Sequence, residues 1–219
     1  GDIPRLGRAE TERAIDAADA ALPAWRALTA QERADLLLKW HDLMLEHKQD
    51  LALLMTHEQG KPVKEAEGEI VYAASFLRWF AEEARRVYGE TIPAANANQR
   101  IVVTKQPVGV VGAITPWNFP AAMITRKAGA ALAAGCTIVV KPASQTPFSA
   151  TALALLAERA GIPRGVFNVV PGSASDIAKA LTESPKVRKI TFTGSTEVGR
   201  TLMAQAAEHI QKISLELGG

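Results

Sequence analysis

The sequence predicts an α/β fold: a Rossmann-like parallel sheet with helices on both faces, preceded by an N-terminal helical segment and a β-hairpin arm. Three observations predict it. Short apolar runs alternate with segments of helical length from residue 108 onward, the first ninety residues carry helical periodicity, and a polar stretch between two β-prone runs separates these regions. The expected organisation is helices over 1–90, a hairpin arm over 91–107 and the sheet domain over 108–219.

The helical part begins with an amphipathic repeat, Ala14, Ile15, Ala18 and Leu22. Thr29-Ala30-Gln31-Glu32 is a capping-box pattern, in which the Thr29 hydroxyl accepts from the Glu32 amide and the Glu32 carboxylate reaches back. Leu36, Leu37, Trp40, Leu43 and Met44 recur at helical spacing, and Gly60 followed by Pro62 supplies the stop. A third helix is expected over 63–88, with Tyr72, Phe76 and Phe80 as a stripe of core packing. Thr91-Ile92-Pro93 and the run 101–105 flank Asn96 and Asn98 as the two sides of a hairpin.

Strands are expected at 108–115, 137–141, 166–170, 189–193 and 213–217, with helical segments of ten or more residues between them. This is βαβ spacing, which implies a mostly parallel sheet with right-handed crossovers. Parallel strands place their carboxyl ends together, so residues distant in sequence are gathered into one crevice. The strand ends carry Trp117-Asn118, Lys141-Pro142-Ala143-Ser144, Pro171-Gly172, Gly194-Ser195 and, within the last strand, Glu216.

Several of these residues have two readings. A side-chain amide at Asn118 can stabilise an oxygen that gains negative charge, or it can cap the helix that follows. Gly194-Ser195 and Gly172 either open anion sites at helix starts or are ordinary strand-to-helix turns. Lys141 reaches ribose hydroxyls or phosphate as a point charge, or is a solvated strand end. Gly194-Ser195-Thr196-Glu197-Val198-Gly199-Arg200-Thr201 nearly matches the phosphate loop of nucleoside triphosphatases, but Arg200 stands where that loop needs lysine. The dinucleotide fingerprint of alternating glycines is absent from the turn after the first strand, where Pro116 and Trp117 stand.

Composition narrows the classes. With 47% hydrophobic and 22% charged residues the chain reads as a soluble globular protein, and a net charge of +2 with 5% aromatics argues against a nucleic-acid partner. No apolar run approaches a membrane span, and the N-terminus lacks the layout of a secretory signal. A single cysteine, Cys136, allows no intrachain disulfide; it reads as an inert core thiol in a cytoplasmic protein. His41, His47, His57 and His209 read as surface residues without metal-ligand spacing, so no metal is expected.

Taken together, Thr115-Pro116-Trp117-Asn118-Phe119-Pro120, Lys141-Pro142-Ala143-Ser144-Gln145-Thr146-Pro147, Phe192-Thr193-Gly194-Ser195 and Leu215-Glu216-Leu217-Gly218-Gly219 resemble the signature series of the aldehyde dehydrogenase superfamily. The resemblance runs the whole chain, including Glu58-Gln59-Gly60-Lys61-Pro62, and Ala122-Met123-Ile124-Thr125-Arg126-Lys127 is similar to the branch acting on succinate semialdehyde. It implies oxidation of an aldehyde to a carboxylic acid through a cysteine thiohemiacetal and thioester, with glutarate semialdehyde as an alternative substrate. Asn118 would be the oxyanion donor and Glu216 the general base for the hydrolytic water. Ile114, Thr115, Pro116, Trp117, Asn118, Lys141, Pro142, Ala143, Ser144, Gly172, Gly194, Ser195 and Leu217 would line the cofactor groove, and Arg126 would pair the substrate's distal carboxylate.

The chain departs from the family pattern in two places. The family's nucleophile follows the Leu-Glu-Leu-Gly-Gly motif, so it lies beyond residue 219 and Cys136 cannot be mapped onto it. The chain is therefore expected to be part of a longer protein and inactive alone; a non-catalytic nucleotide-binding module is the alternative. Ser144 stands where many NAD-using relatives carry a glutamate that would repel a 2′-phosphate, so NADP is the expected cofactor, with NAD second. The partners implied are a small aldehyde and further copies of the chain in a homodimer or homotetramer, the hairpin resembling the family's oligomerisation arm.

Overall fold

A computed structural model describes residues 1–218 and has the expected α/β architecture. Four helices come first: α1 (Arg8–Ala27), α2 (Ala30–Glu46), α3 (Lys48–Gln59) and α4 (Val63–Glu83). The capping box at the start of α2 is formed in both directions, with Glu32 N donating to Thr29 Oγ1 at 3.2 Å and Thr29 N to the Glu32 carboxylate at 2.7 Å. Gly60 ends α3 in the left-handed conformation (φ 85°), the stop read from the sequence.

Three expectations in this region are corrected, the third in part. The helix from Thr29 to the Gly60 stop is two helices, because the backbone turns out of helical geometry at His47 (φ −94°, ψ 20°). The last expected helix ends at Glu83 rather than 88 and passes through a short 3-10 turn, Ala84–Arg86. The aromatic stripe is core packing only in part: Phe76 and Phe80 are half-buried and pack against the core, whereas Tyr72 is 45% exposed. The face of α4 that is buried carries Ala66, Glu69, Ile70, Ala73, Ala74, Leu77 and Ala81, because small residues let α4 approach α2 and the helix Ala122–Ala133 closely.

The hairpin forms from β1 (Glu90–Ile92) and β2 (Ile101–Val103), antiparallel and exposed along its length. The sheet then runs β3 (Val110–Ile114), α5 (Ala122–Ala133), β4 (Thr137–Lys141), α6 (Pro147–Arg159), β5 (Phe167–Val169), α7 (Ala174–Glu183), β6 (Val187–Gly194), α8 (Thr196–Ala207) and β7 (Lys212–Leu217). All its pairings are parallel, in the order β5-β4-β3-β6-β7. The chain therefore winds outward from β3 through β5, then returns to the other side of β3. Such a reversal opens a crevice at the carboxyl ends of the two strands flanking it, here β3 and β6.

Alternation along the strands feeds two cores. Val111, Ala113, Ile138 and Val140 pack with residues of α2, α4, α5 and α6, while Val110, Val139, Val187 and Ile190 pack with Ile15 and Ala18 of α1 and Ile177 and Leu181 of α7. The N-terminal helices are thus part of the covering layers. Among the described residues no helix is long and apolar enough to cross a membrane.

Candidate active site

The loop after β3 is the first wall of the crevice. Thr115 is buried and its N–H donates to the Lys141 carbonyl at 3.1 Å, which ties the ends of β3 and β4. Trp117, Asn118 and Phe119 then stand exposed. The cap on α5 is not Asn118: the Ala121 and Ala122 N–H groups donate to Glu69 Oε1 at 3.0 and 3.3 Å. The side-chain amide of Asn118 is left open to solvent, while its backbone carbonyl accepts from Lys61 Nζ at 3.0 Å.

The second wall follows β4. Lys141 is not a solvated strand end but buried, and burial pushes its ammonium pKa below the ordinary lysine value. Ser144 is exposed and lines a cavity of about 540 Å³ together with Arg5, Gly172, Ser173 and Ser175. The N-terminal strand segment closes this cavity: Leu6 N donates to the Pro171 carbonyl at 3.0 Å and Ser173 N to the Leu6 carbonyl at 2.9 Å. Gly172 (φ 152°) is required for that approach, since a Cβ there would lie 2.0 Å from the Leu6 carbonyl oxygen.

Beyond β6, Ser195 caps α8, its Oγ accepting from Val198 N at 3.4 Å. The resemblance to a triphosphatase loop ends here. Residues 196–199 are already helical, Gly199 is small because a Cβ would meet Leu217 at 2.7 Å, and the Thr201 hydroxyl is spent on the Glu197 carbonyl at 3.2 Å rather than free for a metal ion.

Glu216 pairs across from Thr193 and faces a second cavity, about 510 Å³, which it shares with Arg126, Lys127, Lys189, Thr191 and Cys136. Arg126 is half-buried, its guanidinium 4.9 Å from the Phe76 ring centroid, and among the described residues no carboxylate pairs with it. Cys136 is buried, 3% exposed, as a core thiol should be. His57 and His209 are exposed, whereas His41 and His47 are half-buried, a partial correction of the surface reading.

Lys127 was missed by the sequence reading. It is 8% exposed and donates from Nζ to Thr191 Oγ1 at 3.0 Å. Burial first, then the Arg126 charge, lowers its pKa from 10.5 to about 8, and Glu216 opposes the shift. The signal was a lysine inside the apolar stripe Ile124, Ala128, Leu132. Between about 8 and 10.5 the unfolded chain holds more protons than the folded one, so folding stability should rise with pH across that window. Lys127→Met should remove this rise and stabilise the protein by about 1–3 kcal/mol near pH 7. Urea midpoints of both proteins at a series of pH values check it; parallel profiles would show that Lys127 titrates normally.

The aldehyde dehydrogenase family matches residues 1–219. The chain is 69% identical over 219 residues to a glutarate-semialdehyde dehydrogenase of Pseudomonas aeruginosa, covering all of this chain and 45% of that one. It is 68% identical over 219 residues to the succinate-semialdehyde dehydrogenase (NADP+) of Escherichia coli, again all of this chain and 45% of the relative. A crystal structure of an E. coli NADP-dependent enzyme superposes with a TM-score of 0.99 at 68% identity, over 100% of this chain and 46% of that one. The chain thus spans a little under half the length of these relatives.

Proposed function

This chain belongs to the aldehyde dehydrogenase family, and we propose on that premise that the whole protein oxidises a short aldehyde bearing a distal carboxylate, succinate semialdehyde to succinate, with NADP. One observation carries the substrate class: an unpaired guanidinium, Arg126, and a carboxylate, Glu216, line the same cavity of about 510 Å³. A planar fork held over an aromatic ring is well matched to a substrate carboxylate. Glu216 then activates water at the other end of the bound molecule.

The residues present fit NADP. The cavity beside Ser144 includes Arg5 and three serines and no carboxylate among its lining residues, which suits a dianionic 2′-phosphate. Lys141, Trp117, Gly194, Ser195 and Leu217 would hold the rest of the dinucleotide, and when bound it supplies the hydride acceptor. Asn118 donates to the oxygen of the aldehyde as charge develops on it, the attacking thiolate coming from a cysteine outside these 219 residues. NAD is the second cofactor of this reading. We further propose division into 1–90, 91–107 and 108–219, a cytoplasmic location consistent with a lone buried thiol, and assembly as a homodimer or homotetramer through the exposed apolar hairpin.

Glutarate semialdehyde is the second substrate reading, supported by equal likeness to an enzyme named for it. Arg126→Ala in the whole protein should raise KM for either semialdehyde about 10- to 100-fold, the loss of one charge-assisted pair, and leave KM for an uncharged aldehyde of equal length unchanged. The wild-type ratio of kcat/KM for the two semialdehydes chooses between them. Equal effects of the substitution on charged and uncharged substrates would make Arg126 structural.

A further inference from the structure

We propose that Lys61 and Glu69 are positioning residues that clamp the Asn118 loop in its working place, an inference that rests on Asn118 being the oxyanion donor. Glu69 lies on the buried face of α4 at 4% exposure, with its carboxylate fully used. One oxygen accepts from the Ala121 and Ala122 amides, and the other takes the Lys61 ammonium. Lys61 in turn donates to the Asn118 carbonyl at 3.0 Å and lies 4.2 Å from the centroid of the Phe119 ring.

The energetics favour a geometric role. A buried ion pair is often no more stabilising than a well-packed apolar pair of similar volume, so stability alone does not account for placing one here. What the pair supplies is direction. The loop residues Trp117, Asn118 and Phe119 all face solvent, Trp117 at 52% and Phe119 at 40% exposure, so packing alone does not fix them. Their positions are set at one end by the Asn118 carbonyl, which takes Lys61 at 3.0 Å and Gln59 Nε2 at 3.5 Å, and at the other by the first turn of α5; the shorter contact at the first end and both amides at the second lead back to Lys61 and Glu69. The Cα of Asn118 is thereby held, and its side-chain amide swings from a fixed origin. An oxyanion donor needs this, because a misplacement of about 1 Å can cost about 10²-fold in rate.

The test uses the full-length protein and the double variant Lys61→Met/Glu69→Gln, which keeps an acceptor for the two amides and leaves no lone buried charge. With succinate semialdehyde in stopped flow, the burst of NADPH should slow about 10- to 100-fold. NADP affinity, read by protein fluorescence, should change far less than the burst, because most of the dinucleotide's contacts lie outside this loop; hydrolysis of the acyl enzyme, which forms an oxyanion on the same oxygen, should slow as well. Lys61→Arg, which keeps a donor to the Asn118 carbonyl, should recover most of the burst rate. If the double variant does not fold, Glu69→Gln carries the test: a burst slowed far more than NADP affinity is weakened supports the clamp, and a wild-type burst overturns it. A loss of cofactor affinity as large as the loss of burst rate also overturns it, as the mark of a general structural defect. Absence of a burst in the wild-type protein with both semialdehydes would instead remove the functional reading, and the clamp's catalytic role with it.

Discussion

Replacing Ser144 with Glu is expected to convert the full-length protein from NADP-preferring to NAD-preferring. Ser144 is exposed at the edge of a cavity whose other polar side chains are Arg5, Ser173 and Ser175, so no carboxylate lines it. A glutamate would bring a carboxylate against the 2′-phosphate, and like-charge juxtaposition costs several kcal/mol, about 10²–10³ in kcat/KM for NADP. NAD would suffer no such penalty, because its 2′-hydroxyl can donate to the new carboxylate. The measurement is kcat/KM with each cofactor at saturating aldehyde for both proteins. A cofactor ratio that is the same in wild type and variant would reject Ser144 as the discriminating position.

The parts of this fold that sequence made legible are those where a local pattern has one physical meaning. Strand 137–141 was placed to the residue because an apolar run bounded by Gly135 and Pro142 has few other solutions. The capping box at Thr29 and the glycine stop at Gly60 were legible because each satisfies its own helix end. The break at His47 was not, since helical periodicity continues through it and only the docking of α3 against α4 and α6 reveals the turn. The aromatic stripe of α4 was legible only in part for a related reason: periodicity finds a face but does not say how deeply it is buried, so Phe76 and Phe80 pack at the margin of the core, Tyr72 is exposed, and the alanine face lies deepest by allowing close approach. Asn118 and Glu216 drew notice as polar groups at strand ends, and the family motifs supplied the roles proposed for them and for Ser144. Lys127 and Glu69 were not, because a charged residue in an apolar stripe looks like an irregularity until its partners, Thr191 in one case and Lys61 with two backbone amides in the other, are in place.

Asn118 and Glu216 should be separable by the step each serves. Asn118→Ala in the full-length protein is expected to slow the burst of reduced cofactor about 10²–10³-fold, the cost of one missing oxyanion donor. Its side chain takes no part in capping α5, where Glu69 holds the amides, so the substitution should leave the fold intact. Glu216→Gln should behave differently. The carboxylate lies on β7 opposite Thr193, facing the cavity with Arg126 and Lys127, and its proposed work is on the water that hydrolyses the thioester. Acylation and hydride transfer come before that step, so the burst should survive at near wild-type rate and amplitude and be followed by slow turnover. Stopped-flow absorbance of the reduced nicotinamide reads both phases in one trace. A Glu216→Gln trace without a burst would mean that this carboxylate also deprotonates the attacking thiol, and the assignment of one step to each residue would fall.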